Sequence, residues 1–92
     1  MIRNRVIVTG EVQGVFFRDS CRMLAEENGV NGWVRNLPDG SVEAVFEGPP
    51  AGVAQLLRWS HHGPDGAVVE HVSQHEETPE GLTSFEVRPS PF

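Results

Sequence analysis

One run of nine residues, Gly10-Glu11-Val12-Gln13-Gly14-Val15-Phe16-Phe17-Arg18, holds the residue types best suited to chemistry in this 92-residue chain. Its two glycines let the main chain turn tightly, so that successive N–H groups can point to one side as a nest for an anion. Arg18 ends the run with a planar fork of donors that matches a phosphate or a carboxylate. An apolar run, Val6-Ile7-Val8-Thr9, precedes it, and a helix-like run from Asp19 to Asn28 follows. A strand, a glycine-bearing loop and a helix N-terminus in that order add unpaired donors and about half a positive charge. The same residues also suit an ordinary loop with a solvated arginine. The spacing lacks GxxxxGK[ST], so a nucleoside-triphosphate loop is not supported. It also lacks GxGxxG in a strand-to-helix turn, and so short a chain leaves little room for a dinucleotide fold. Any phosphate held here is small.

Asn36 is the second candidate. It stands where an apolar run ends and a turn begins, and its amide faces the same pocket as Arg18 if their strands are neighbours in one sheet. The alternative for Asn36 is a turn-initiating asparagine bonded to its own backbone. The histidines tempt more and offer less. His71 and His75 are four apart, which on a strand is about 13 Å, too far for one metal ion. His61 and His62 close a helix, where a cation is mildly favoured. Nothing in the sequence places a base near Ser20 or Cys21, so no Ser-His-Asp or Cys-His grouping can be argued.

These residues need elements to position them. Arg3 to Thr9 reads as a strand rich in β-branched residues. Phe17, Cys21, Leu24, Ala25 and Asn28 recur at helical spacing, and Gly29 stands where a helix would stop. Val30 to Asn36 reads as a second strand. Leu37-Pro38-Asp39-Gly40 is a turn in which proline fixes one φ and glycine takes a positive one. Ser41 to Glu47 alternates, with Val42, Ala44 and Phe46 on one face and Glu43, Val45 and Glu47 on the other. Gly48-Pro49-Pro50 opens a second helix marked by Val53, Leu56, Leu57 and Ser60, and Gly63-Pro64 ends it. Ala67 to Glu76 is a further strand; Val69 and Val72 fall on opposite parities, which predicts a bulge. Ser84 to Arg88 is a short last strand, followed by the tail Pro89 to Phe92. The order βαββαβ plus a short final strand predicts two helices on one face of an antiparallel sheet, the split βαβ or ferredoxin-like α+β sandwich.

Composition narrows the partners. Residues 1–92 are expected to form a single domain. Thirteen acidic residues against seven arginines and no lysine give a formal net charge of −6. That works against nucleic acid or an anionic membrane as partner, since both reward clustered positive charge. The lone cysteine, Cys21, excludes an intrachain disulfide and falls on the buried stripe of the first helix, where core packing is its expected role. The apolar run near the N-terminus is too short for a signal peptide or a membrane span, so a cytoplasmic setting is expected, and the simplest oligomeric state is a monomer.

Gly10-Glu11-Val12-Gln13-Gly14-Val15-Phe16-Phe17-Arg18 resembles the first signature of the acylphosphatases, G-x-V-Q-G-V-x-[FY]-R. Gly32-Trp33-Val34-Arg35-Asn36, followed by Gly40-Ser41-Val42-Glu43 and Glu47-Gly48, resembles the second. The resemblance spans roughly Arg5 to Arg88, and that family's fold is the sandwich reached above. One departure is visible: members commonly carry a tyrosine after the last strand's basic residue, where this chain has Pro89 after Arg88. The resemblance implies hydrolysis of the carboxyl–phosphate anhydride of a small acyl phosphate to a carboxylate and inorganic phosphate. It implies that Arg18 and main-chain N–H groups of the loop Gln13, Gly14, Val15, Phe16, Phe17 and Arg18 bind the phosphate. It implies that Asn36 orients the attacking water, with no cofactor and no metal.

Overall fold

The computed structural model describes residues 1–91; the last residue of the tail, Phe92, lies outside the described residues. The elements in chain order are β1 (Ile2–Glu11), α1 (Phe17–Glu27), β2 (Asn31–Asn36), β3 (Val42–Gly48), α2 (Pro50–Ser60), β4 (Val68–Glu77) and β5 (Phe85–Val87). The strands form one sheet in the order β4-β1-β3-β2-β5. The first four are antiparallel to their neighbours, while β5 joins the edge of β2 in parallel, pairing Gly32 with Phe85 and Val34 with Val87. The architecture is the expected α+β ferredoxin-like sandwich, and the parallel edge strand makes its sheet mixed. The first helix begins at Phe17, two residues earlier than the run from Asp19 predicts.

Strand alternation decides the core. Val6 and Val8 of β1, Val34 of β2 and Val42, Ala44 and Phe46 of β3 point to one face and are buried there. Cys21 and Ala25 of α1 and Val53 and Leu56 of α2 complete the cluster. The i, i+4 spacing of the α1 pair puts both side chains on its sheet-facing stripe. Burial pushes the Cys21 thiol pKa up, so it packs as a small hydrophobe, not as a thiolate.

The predicted bulge in β4 is present. The register with β1 shifts between Thr9 and Gly10, which lets Val72 and Val69 both pack on the core despite their opposite parity. Gly10 sits at that shift with φ +126°; a Cβ there would lie 2.1 Å from the Val68 carbonyl oxygen, so only glycine fits.

The short last strand is fixed without a tyrosine. Phe85 stacks on Phe46 with centroids 6.2 Å apart, and Ser90 Oγ donates to the Asn36 carbonyl at 2.7 Å. The Arg88 N–H donates to the Val34 carbonyl at 2.9 Å, and its guanidinium lies 5.0 Å from the Trp33 ring centroid.

The other sheet face is polar yet closed. Glu43 and Glu47 are buried there, not solvated, because arginines from neighbouring strands cover them. Glu43 accepts from Arg35 at 2.7 Å and also from Arg5. Trp33 lies on this face with the Arg35 guanidinium 4.9 Å from its ring centroid.

Candidate active site

At the end of β1 the chain leaves the sheet through residues 12–16 and enters α1. Gly14 has φ +75° and Phe16 φ +63°, with Val15 between them outside the positive-φ region. Alternating handedness of this kind curls successive N–H groups to one side, which is the geometry of an anion nest. No main-chain N–H from Gln13 to Arg18 donates to another group among the described residues. The first-turn donors of α1, which begins at Phe17, extend this set. The αL backbone at Phe16 costs roughly 1–2 kcal/mol, since its Cβ crowds the following carbonyl. Phe16 is the single non-glycine residue with positive φ among the described residues.

Two contacts hold the loop in place. The Gln13 carboxamide donates through Nε2 to the Leu37 and Ser41 carbonyls, both at 2.9 Å. It therefore ties the loop to the turn that directly follows Asn36. Phe17, buried beneath the loop, packs against Trp59 with ring centroids 4.8 Å apart and an interplanar angle of 50°. The turn itself is capped by Asp39, whose carboxylate accepts from the Ser41 N–H at 3.0 Å and from its hydroxyl at 2.6 Å. Those bonds hold the Asp39 carboxyl below its ordinary pKa.

The loop, α1 and the end of β2 enclose a cleft of about 300 Å³, lined by Val12, Gly14, Phe16, Phe17, Arg18, Asp19, Asn36 and Val87. Arg18 and Asn36, the two candidates from the sequence, thus line one cavity. Arg18, Arg22 and Arg58 have no carboxylate partner among the described residues, and of these only Arg18 is partly buried. Asn36 shares the core-facing parity of Val34, and its Oδ1 is buried without a hydrogen-bond partner. Asn4 holds the other such oxygen, near the start of β1 and away from the cleft. Asn36 lines the cleft, which brings its carboxamide to a space wide enough for a bound water.

Gln13, Gly14, Val15 and Phe16 fall on the loop expected from the sequence and Phe17 opens α1, with Gly14, Phe16 and Phe17 on the cleft wall. Val87 and Asp19 also line it and were not among the sequence candidates. Val87 carried no signal, because its place depends on the pairing of β5. Among the described residues no three His, Cys, Asp or Glu side chains gather closely enough to hold a metal ion. No helix among them is long and apolar enough to cross a membrane.

The Acylphosphatase family model matches residues 4–87. The chain belongs to the acylphosphatase family. It is an enzyme, as that membership entails. A family relative named acylphosphatase from Gloeobacter violaceus is 59% identical over 86 residues, covering 94% of this chain and 92% of the relative. Another from Rubrobacter xylanophilus is 61% identical over 87 residues, covering 94% of this chain and 79% of that one. Among solved structures, the family fold is matched by the crystal structure of acylphosphatase from Bacillus subtilis. The TM-score is 0.92 at 35% identity, with 96% of this chain and 99% of that chain covered.

Proposed function

We propose that this enzyme hydrolyses small acyl phosphates, with Arg18 and the loop N–H groups binding the phosphoryl group and Asn36 orienting the water. The observation that carries the reading is the meeting, in one cleft, of the Asn36 carboxamide with a guanidinium and a run of main-chain donors that have no partner among the described residues. Water attacks phosphorus, and a new P–O bond forms as the P–O bond to the acyl group breaks. The acyl oxygen leaves with the bonding pair as a carboxylate. The water proton passes to a phosphoryl oxygen, because an amide is no base at neutral pH. A carboxylic acid has a pKa of about 4, so the leaving group departs unprotonated and needs no general acid. What the site must supply is charge stabilisation on the phosphoryl oxygens and a positioned nucleophile.

The reading needs no metal or cofactor, since the guanidinium and main-chain donors supply the positive field. It takes residues 1–92 as a single acylphosphatase-like domain, acting as a cytoplasmic monomer on a small-molecule acyl phosphate and releasing inorganic phosphate. The net charge of −6 supports the absence of nucleic-acid and membrane partners. The test is inorganic phosphate release from acetyl phosphate, with and without saturating chelator. Release in both is the expected result. No release would end the reading, and a loss confined to the chelated sample would require a metal.

A further inference from the structure

We propose that Phe16 reads the acyl group, giving this enzyme a preference for acyl phosphates whose acyl part carries an aromatic ring. This rests on the function proposed above. The nest requires a positive φ at position 16, where glycine would sit without strain, and the chain has a phenylalanine instead. The ring is not spent on the core: Phe16 is 78% exposed, the most exposed large hydrophobic side chain among the described residues. Strain and exposure are both unfavourable to the fold, so folding does not account for the side chain. Phe16 is one of the residues lining the cleft that holds Arg18.

The cleft divides by chemistry. Arg18, Asn36 and the main chain at Gly14 form its polar part, while Phe16 and Val87, 37% exposed, offer accessible apolar surface. A phosphoryl group bound to Arg18 leaves the acyl group at the mouth, against that apolar surface. A ring there stacks on Phe16 and sheds water from both faces, whereas a lone methyl gains little. Asp19, on the same wall, opposes an acyl group that brings a second negative charge. The phenyl contact exists in ground and transition states alike, so its effect falls on KM.

The experiment compares kcat/KM for benzoyl phosphate with kcat/KM for acetyl phosphate. The ratio is taken in the wild type, F16A, F16G and F16Y, which cancels the intrinsic reactivity of the two anhydrides and any loosening of the loop common to both. F16A and F16G should lower the ratio by roughly 3- to 10-fold, mainly through the KM for benzoyl phosphate. F16Y, which keeps the ring, should hold the ratio near the wild-type value. F16G suits the backbone at this position and guards against a variant that fails to fold. An unchanged ratio in both F16A and F16G overturns the role of Phe16 while leaving the hydrolase reading intact. Wild-type protein that turns over neither acyl phosphate removes both.

Discussion

Two loops in this molecule turn main-chain N–H groups to one side beside an arginine, and they differ in what those donors meet. In the first, the N–H groups of Glu80, Gly81 and Leu82 donate to the Glu47 carboxylate at 2.7, 2.9 and 2.7 Å. Arg3 adds a contact at 3.5 Å, and Glu47 is 1% exposed. In the second, neither the N–H groups from Gln13 to Arg18 nor the Arg18 guanidinium beside them has a partner among the described residues. The parts are alike. A cup filled by the chain's own carboxylate is a clamp that fixes the loop leading to β5. On the function proposed above, a cup with no internal anion keeps its donors for the phosphoryl group, and Gln13 and the Phe17–Trp59 pair hold its loop in place. The comparison predicts that damage to the open cup costs activity and damage to the filled cup costs stability.

The largest effect is expected at Arg18. R18Q should lower kcat/KM for acetyl phosphate by about 10²–10³-fold or more, with the melting temperature nearly unchanged. Phosphate release and a thermal melt on the same sample check both halves. An R18Q protein with wild-type turnover would remove the distinction between the cups.

N36A should lower kcat by about 10²-fold while inorganic phosphate still inhibits. It deletes a buried acceptor that lacks a partner, so it should cost little stability. If inhibition by phosphate were lost as well, Asn36 would belong with the phosphate ligands and not with the water.

At the filled cup the expected pattern reverses. E47Q should destabilise the fold by about 2–3 kcal/mol, because charge-assisted bonds are lost and an amide N–H₂ meets main-chain donors. Denaturant unfolding measures this. The folded fraction should retain its activity on acetyl phosphate, and an active-site loss as deep as that of R18Q would show that the two cups are not independent.

Acid gives the gentlest version of the same test. Burial pushes the Glu47 pKa up and is the largest single influence, but the N–H groups of Glu80, Leu82 and Gly81 together with Arg3 outweigh it, leaving the pKa below the usual value of 4.5. Arg5, then Arg3, hold Glu77 below the usual value as well. Both carboxylates therefore bind protons less readily folded than unfolded. Their contribution is fully present above the unfolded pKa of 4.5 and is lost as pH falls through the lower folded values. Melting temperature should drop below pH 4.5 in the wild type, and less steeply in E47Q.

The sequence makes some of this legible and hides the rest for identifiable reasons. The stretch from Gly10 to Arg18 stood out because glycines and an arginine between a strand and a helix suit an anion nest, but they suit an ordinary loop as well, and the resemblance to the acylphosphatase signature was needed to choose between the two. Val69 and Val72 announced the bulge, because parity on a strand is strict. The filled cup was invisible: Glu43 and Glu47 alternate as solvent-facing residues do, and their burial depends on arginines from other strands. The parallel pairing of β5 was equally hidden, since three residues are too few to show a register. With β5 unplaced, Val87 could not be assigned to the cleft. The αL backbone of Phe16 was hidden too, because nothing about a phenylalanine in a loop predicts a positive φ.

On the function proposed above, the open cup holds the phosphoryl group while water attacks phosphorus. Hydrolysis of acetyl phosphate in ¹⁸O-labelled water tests it most directly. Attack at phosphorus puts one labelled oxygen in the inorganic phosphate and none in the acetate. Label in the acetate would mean attack at the carbonyl carbon, and would contradict it.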